Sequence, residues 1–151
     1  KKNDIILLDF GAKVQGFGSD ITRTFCVGKA TKEQKAIYKL VYDAKQAACE
    51  AARPGMNGKL LDAVARKMID NAGYGINFQH SLGHGIGLEA HEGPIITFRR
   101  EDQIIPEDVV LAIEPGVYFP DKFGMRVEDD IYITRNEITM LTNAPAELIV
   151  I

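Results

Sequence analysis

The chain opens with two apolar runs, each followed by a glycine, that predict a β-hairpin. The first run covers Ile5–Phe10 and the second covers Ile21–Val27, and Gly16 and Gly18 lie between them. Apolar and β-branched runs separated by a glycine-rich turn are typical of antiparallel strand pairs. We therefore expect the two runs to pair directly.

Apolar positions spaced three and four residues apart predict two helices after the hairpin. Thr31 and Gln34 form the signature of a capping box, so the first helix should begin there and end before Pro54. The second helix is expected over residues 58–71, with Gly73 as its C-terminal stop.

Beyond Gly73 the sequence becomes rich in glycine and histidine and then returns to short apolar runs. These runs predict strands over residues 109–114, 116–119, 125–134 and 138–141. Two strands, two helices and then several strands indicate an α+β fold, with the helices covering one face of an antiparallel sheet.

Composition narrows the class of protein. With 46% hydrophobic and 26% charged residues among 151, the chain can bury the core of one soluble domain. Its 18 basic and 21 acidic residues are interspersed, so neither nucleic acid nor a membrane is expected as a partner. No apolar run approaches the roughly 20 residues of a membrane span, and we expect a cytoplasmic protein. Cys26 and Cys49 match no metal-binding spacing and are expected to be reduced thiols.

Two acids stand where the strands of the predicted hairpin should meet. Asp9 shares one side of the first strand with Ile5 and Leu7, and Asp20 begins the second strand. A carboxylate at the end of an apolar row costs free energy unless something pairs with it. A metal ion would offset that cost, and two turn-capping acids beside glycines are the alternative.

All three histidines, His80, His84 and His91, lie in one glycine-rich segment. Imidazole is the commonest neutral metal ligand and carries protons near neutral pH. A lone histidine is more often a hydrogen-bonded core residue, but this cluster favours a functional site.

Two glutamates interrupt apolar β segments. Glu114 ends an apolar strand at a Pro-Gly turn, and Glu128 lies within the strand predicted over 125–134, on the same face as Arg126. A surface glutamate at a strand end and a solvated polar strand face are the alternative interpretations.

Together these residues form a ligand set of four carboxylates and one or more imidazoles, without a thiolate. Such a set suits Mn²⁺, Co²⁺ or Fe²⁺ better than a structural zinc site. Four carboxylates also call for more positive charge than one ion supplies. We therefore predict two divalent metal ions, with manganese first and cobalt, iron or zinc as alternatives, which would activate a bridging hydroxide.

The order of these residues resembles the pita-bread metallopeptidase family, which includes creatinase, aminopeptidase P and prolidase. The resemblance covers nearly all 151 residues and is carried by segments that read LDFG (8–11), SDITRTF (19–25), HSLGHGIGLEAHE (80–92), IEPGVY (113–118) and GMRVEDD (124–130). It implies that residues 1–151 form the C-terminal half of a pita-bread catalytic domain.

The same resemblance implies a role for each candidate in the metal pair. Asp9 would bind one ion. Asp20 and Glu128 would bridge both ions. His84 and Glu114 would complete the shell of the second ion.

The residues implied to act on the substrate surround these ligands. Glu114 would also move protons as the bridging hydroxide attacks the scissile carbonyl. His80 and His91 would contact the substrate or stabilise its tetrahedral intermediate. Arg126 would order the surroundings of the bridging glutamate.

The resemblance implies a metallo-exopeptidase that hydrolyses the bond before proline in peptides with proline after the N-terminal residue. The segment Arg-Val-Glu-Asp-Asp resembles the Xaa-Pro branch, whereas methionine aminopeptidases usually carry a different sequence there. Dipeptidase-type members often have an arginine where this chain has Ile95, which favours an aminopeptidase-like specificity. A catalytically incomplete domain that binds metal, peptides or other proteins is the alternative.

The N-terminal half of the family's catalytic domain, which contains a further active-site histidine, is absent from this sequence. A sheet that begins at Ile5 without that half would expose strand edges and apolar helix faces. We expect the chain to be a fragment of a longer protein. Either the missing half or a second copy, in a two-fold homodimer, would cover the exposed surface.

Overall fold

The computed structural model describes residues 2–151 and contains two long helices and a series of short strands. The helices are α1 (Lys32–Ala51) and α2 (Gly58–Asn71), followed by a 3-10 turn over Gly75–Asn77. The strands are β1 (Ile5–Phe10), β2 (Lys13–Val14), β3 (Phe17–Gly18), β4 (Ile21–Cys26), β5 (Gly83–Gly85), β6 (Glu92–Ile96), β7 (Val109–Ile113), β8 (Gly116–Phe119), β9 (Phe123–Arg126), β10 (Asp129–Ile133), β11 (Ile138–Met140) and β12 (Ile149–Val150).

The first sheet is built on the predicted hairpin. β1 and β4 pair antiparallel along their full length, from Ile5 opposite Cys26 to Phe10 opposite Ile21. β12 joins β4 in parallel, which leaves β1 at the edge of this sheet. The predicted pairing is confirmed, and the connection between the strands forms a further short ladder of β2 with β3.

The second sheet has the strand order β11-β10-β7-β5-β6, and all of its pairs are antiparallel. β5 lies between β6 and β7, and its glycines make this possible. A Cβ atom at Gly83 would lie 2.0 Å from Ala112 O, and one at Gly85 would lie 2.3 Å from Gly93 O. Glycine is therefore required on both sides of His84 for this close approach of backbones.

One strand prediction is wrong in its extent. The sequence predicts one strand over residues 125–134, whereas the structure has two, because β9 pairs with β8 and β10 pairs with β7. Between them the chain approaches β4, where Glu128 N–H donates to Thr22 O at 3.1 Å. The alternation of side chains along a strand does not indicate where the chain stops pairing with one strand and begins to pair with another. The break places Glu128 between the two sheets.

Both helices begin and end close to the predicted positions. Thr31 Oγ1 accepts a hydrogen bond from Gln34 N–H at 3.1 Å, and Gln34 Oε1 accepts one from Thr31 N–H at 2.8 Å, which completes the capping box. Asn57 caps α2 through a 2.8 Å bond from Lys59 N–H. Gly73 follows α2 with φ of +86°, a left-handed conformation that glycine adopts without strain.

The helices pack against each other and against the strands that surround the core. α1 contacts β7, β8 and β9, and α2 contacts β6. The largest fully buried apolar side chains include Ile37, Leu61, Ile69, Leu82, Leu111, Ile113, Met125 and Ile131. Cys26 and Cys49 are buried and free of disulfides. Within residues 2–151, no helix combines the length and the apolar character that crossing a membrane requires.

The outer face of β1 is apolar and exposed. Ile6, Leu8 and Phe10 alternate along the strand and are 37%, 45% and 61% exposed, and we call these three residues the β1 face. A continuous apolar surface at a sheet edge is typical of a site that another chain or segment covers.

Candidate metal centre

The hairpin places two of the predicted acids at one end of the first sheet. Asp9 lies opposite Thr22 in the β1-β4 register, and Asp20 directly precedes β4. The backbone N–H of Asp20 donates a hydrogen bond to Asp130 Oδ2 at 2.9 Å, which holds Asp20 in place. Asp9 Oδ2 forms an ion pair with Arg126 Nη2. The carboxylates therefore reach the site from adjacent strands.

His84 contributes a nitrogen from the middle of the second sheet. Its Nδ1 lies 3.0 Å from Gly85 O, and because a carbonyl only accepts, the proton is on Nδ1. The Nε2 lone pair is then available, 3.6 Å from Glu114 Oε1. Burial is the main cause that lowers the pKa of His84, so the ring is neutral at pH 7. This is the state in which imidazole binds metal.

The two glutamates approach the same point from the ends of strands. Glu114 follows β7, and its N–H donates to Leu82 O at 2.8 Å. Glu128 lies in the break between β9 and β10, where its Oε2 accepts a 2.5 Å hydrogen bond from Thr22 Oγ1. The side chain of Glu128 is buried, whereas that of Glu114 remains partly exposed. Both carboxylates are therefore fixed by their position between strands.

The candidate ligands assemble into overlapping groups. Within each group, ligand atoms lie within 4.8 Å of one another, and the groups are Asp9, Asp20 and Glu128; His84, Glu114 and Glu128; and Asp20, His84 and His91. All five predicted ligands are present in these groups, and His91 joins them. The sequence predicts His91 as a substrate contact, and its ring packs against that of His84 at a tilt of 39°, with centroids 4.1 Å apart.

The crowded carboxylates have the electrostatics of a cation site. Burial raises the pKa of Glu128 to about 8, the Thr22 hydroxyl opposes this rise, and Glu114 adds to it. Burial raises the pKa of Glu114 to about 7, although Arg126 lowers it. The pKa of Asp20 is raised by burial and by Asp9. A divalent cation would offset both the burial of these carboxylates and their mutual repulsion. An oxygen-rich ligand set with imidazole fits a hard or borderline ion.

A hydrogen-bonded chain connects the centre to His80. Arg126 Nη1 donates to the Tyr118 hydroxyl at 2.8 Å, and that hydroxyl lies 2.9 Å from His80 Nε2. His80 Nδ1 lies 2.8 Å from Ser81 O and must carry the proton, so Tyr118 donates to Nε2. Both ring nitrogens of His80 are thus engaged, and His80 reaches the ligands through Tyr118 and Arg126.

Sequence reasoning missed Thr22, Tyr118 and Asp130 as members of the site. Arg126 Nε donates to Thr22 Oγ1 at 3.2 Å, so Arg126 reaches Glu128 through Thr22. Asp130 is buried, and its Oδ1 has no hydrogen-bond partner among the described residues. The available signal for Thr22 was its position opposite Asp9 in a predicted hairpin.

An open cleft of ≈ 530 Å³ lies beside these ligands. It is lined by Asp9, His80, Ser81, Gly83, His84, His91, Ile95, Arg99, Glu114, Tyr118 and Arg126. Its size is that of sites for small ligands and short peptides.

Several solved structures have this architecture. An X-Pro aminopeptidase from Thermotoga maritima superimposes with a TM-score of 0.95 and 44% identity over 100% of this chain and 42% of that one. The prolidase from Pyrococcus horikoshii gives 0.94 and 46%, over 99% and 43% of the two chains. The N-terminal domain of the FACT complex subunit SPT16 from chickpea, at 22% identity and a TM-score of 0.88, shares the fold alone. The predicted pita-bread fold is confirmed.

Comparison of sequences gives the same relationship. An Xaa-Pro dipeptidase from Pyrococcus horikoshii is 45% identical over 149 residues, which are 99% of this chain and 42% of that protein. An Xaa-Pro dipeptidase from Lactobacillus delbrueckii is 42% identical over 146 residues, 97% of this chain and 39% of the relative. The chain thus spans less than half the length of these relatives. Residues 1–135 match the model of metallopeptidase family M24, and the chain therefore belongs to that family.

Proposed function

We propose that this chain supplies the metal-binding half of a peptidase that hydrolyses the bond before proline. The observation that carries the proposal is the convergence of all five predicted ligands from both sheets into overlapping groups. Membership of family M24 supports a metal-dependent peptidase. Relatives named as Xaa-Pro dipeptidase and X-Pro aminopeptidase support the bond before proline as its target.

The overlap of the groups supports two divalent ions. Glu128 belongs both to the group with Asp9 and to the group with Glu114, and Asp20 likewise belongs to two groups. Shared carboxylates are what the bridging of two ions requires, and manganese, with cobalt, iron or zinc as alternatives, suits these donors. When bound, the ions would supply positive charge that lowers the pKa of water and polarises the scissile carbonyl.

The residues of the chain would divide the remaining work. Glu114 would accept and return a proton beside the cleft during hydrolysis. His91 is exposed beside the cleft, where it can donate to a peptide oxygen. Arg126 would hold Asp9 directly and Glu128 through Thr22. His80 would set the orientation of Tyr118 at the cleft wall.

The cleft supports peptides longer than two residues as substrates. Ile95 lines the cleft at the position where the family resemblance implies an arginine in dipeptidase-type members, so this position offers no charge to a nearby substrate carboxylate. A peptide with proline second and further residues behind it fits this arrangement. Arg99 is a cation elsewhere in the lining. Its effect on the preferred peptide length can be measured with peptides of different length.

The second candidate is a domain that binds metal or peptide without turnover. The half-exposed Asp9 favours it, because the side chain of this ligand is 44% open to solvent. Closing an active site against bulk water strengthens its electrostatic interactions, and the additional part of a longer protein, or a second copy, would have to close this one.

The test combines metal analysis with a hydrolysis assay. The chain is incubated with Mn²⁺, dialysed and analysed for metal, and then assayed on a proline-second dipeptide, tripeptide and tripeptide with alanine second. We expect about two ions per chain, as two-metal sites hold, and cleavage of the proline tripeptide. Asp20→Asn and Glu128→Gln should each abolish uptake of at least one ion.

Glu107→Gln is the matched control, because this glutamate is exposed and belongs to none of the ligand groups. It should bind metal as the unchanged chain does. Metal uptake without turnover would select the second candidate. Uptake unaffected by Asp20→Asn and Glu128→Gln would refute the site itself.

A further inference from the structure

α2 carries an ion pair that contacts the segment before β5. Asp62 and Arg66 are one turn apart, and two parallel hydrogen bonds join them, Nε to Oδ2 at 2.6 Å and Nη2 to Oδ1 at 2.9 Å. Asp62 is completely buried. A buried carboxylate is tolerated only when its charge and lone pairs are satisfied, and this two-point contact does so.

The same two side chains hold the backbone of the segment before β5. Arg66 Nη1 donates to Phe78 O at 2.8 Å, and Nη2 donates to His80 O at 2.8 Å. Leu82 N–H donates in turn to Asp62 Oδ1 at 3.1 Å. The segment 78–82 is thus fixed to α2 at three alternate residues, and His80 is the middle one. We call Asp62, Arg66 and these three backbone bonds the α2 clamp.

Two aromatic rings pack against the guanidinium of Arg66 and fix its orientation. The Arg66 Cζ atom lies 4.0 Å from the centre of the Phe78 ring and 4.1 Å from the centre of the Phe98 ring. A planar, delocalised cation can stack on rings and donate along several directions at once, whereas an ammonium group cannot. Lysine at position 66 would keep the charge but lose the geometry of the clamp.

The clamp ends where the hydrogen-bonded chain to the metal centre begins. His80 O is bound by Arg66, while its ring contacts Phe78 edge-on, with centroids 5.1 Å apart, and meets the Tyr118 hydroxyl through Nε2. The orientation of this ring depends on the placement of its backbone, because Ser81 O accepts from Nδ1. A shift of residues 78–82 would therefore break the bond between His80 and Tyr118.

We propose that Asp62 and Arg66 are positioning residues that fix the His80 ring, its Nδ1–H tautomer and its bond to Tyr118. Neither residue lines the cleft. Their effect on catalysis rests on the proposed function, but their effect on the ring does not.

The direct test is the ring spectrum of His80. With three histidines in the chain, two-dimensional ¹⁵N spectra of the imidazoles can be assigned by single substitutions. The metal-free chain should show His80 as a single Nδ1–H tautomer. Arg66→Lys and Asp62→Asn should each convert it to a mixture of tautomers. Lys67→Met, at the neighbouring exposed position, should leave it unchanged.

A second measurement separates positioning from general damage to the fold. Arg66→Lys should lower kcat/KM by up to about 100-fold, the loss that a misplacement near 1 Å can cause. In a His80→Ala background the same substitution should have little further effect. An unchanged His80 spectrum in both clamp variants, or an equal loss of kcat/KM in both backgrounds, would overturn the inference. If the unsubstituted chain has no activity, the proposed function fails. The ring spectrum of His80 then still tests whether the α2 clamp positions this histidine.

Discussion

Thr22 Oγ1 donates a 2.5 Å hydrogen bond to Glu128 Oε2, so a hydroxyl on β4 fixes the carboxylate that lies between the two sheets. Thr22→Val keeps the shape of the side chain and removes this bond. We expect metal affinity to fall by about 10-fold to 100-fold, as for other groups that orient metal ligands. Titration calorimetry with Mn²⁺ measures the change.

Thr139→Val on β11 is the control for this prediction, because Thr139 is exposed and belongs to the same residue type. It should bind Mn²⁺ as tightly as the unchanged chain. Equal affinities of the Thr22→Val variant and the control would mean that the hydroxyl has no part in metal binding.

The raised pKa values of Glu114 and Glu128 predict how stability depends on pH. Burial raises these pKa values to about 7 and about 8, whereas a glutamate in an unfolded chain has a pKa of about 4.3. The metal-free fold therefore binds more protons than the unfolded chain between these values. Their contribution to stability is complete below about pH 4 and is lost as pH rises through 7 and 8.

Metal binding should show the opposite dependence on pH. The ligands must be ionised to bind, so affinity for Mn²⁺ should rise over the interval in which the metal-free fold weakens. The difference in Tm with and without Mn²⁺ should widen between about pH 6 and pH 8. A constant difference across that range would contradict the pKa values of these acids. Glu114→Gln should make the dependence shallower.

Asp129 is the centre of a buried charge network beside Glu128. Arg23 Nη2 donates to its Oδ1 at 2.7 Å, and Lys45 Nζ pairs with its Oδ2, all three side chains being buried. Asp129→Asn would leave both cations without a counter-charge, which costs about 3–5 kcal/mol. Urea denaturation measures the loss in free energy of unfolding.

An exposed pair on α1 provides the comparison. Lys39 and Asp43 are joined at 2.6 Å, with side chains 75% and 41% exposed. Asp43→Asn should cost no more than about 1 kcal/mol. A loss of similar size at both positions would show that burial does not govern the strength of the Asp129 network.

The β1 face predicts self-association when nothing else covers it. Light scattering after size exclusion should give a mass above that of one chain at micromolar concentration. Leu8→Lys and Phe10→Lys should shift the mass toward a monomer, because each places a charge in the apolar contact. Ile76→Lys, at an 84% exposed position on the 3-10 turn, should not. A monomer for the unchanged chain would refute the prediction.

Some of the predicted ligands could be identified in the sequence because they interrupt an apolar pattern. Asp9 ends the apolar row of β1, and Glu114 ends that of β7, so each is visible in the sequence without a structure. Thr22 and Tyr118 lie within ordinary β patterns, and their importance comes from cross-strand neighbours. The sequence does not specify which residues a strand will oppose once it changes sheets.

The roles of the histidines required geometry as well as type. Their proximity in sequence indicated a site, but His80 uses both ring nitrogens within the protein, while His91 joins the ligand groups. A spacing of a few residues cannot distinguish these roles, because His80 precedes β5 and contacts α2, whereas His91 follows β5 and contacts His84. The α2 clamp could not be predicted from the sequence either, because Asp62 and Arg66 have the i, i+4 spacing of an ordinary helical ion pair.

The break between β9 and β10 also bears on the order of events during folding. Glu128 lies near Asp9 and Asp20 only after the last third of the chain has docked on the opening hairpin. Ions that need donors from both ends of the sequence cannot bind a partly folded chain at full strength. Tight metal uptake would therefore indicate that the last third of the chain has docked on the hairpin, and a nascent or unfolded chain would bind metal only weakly.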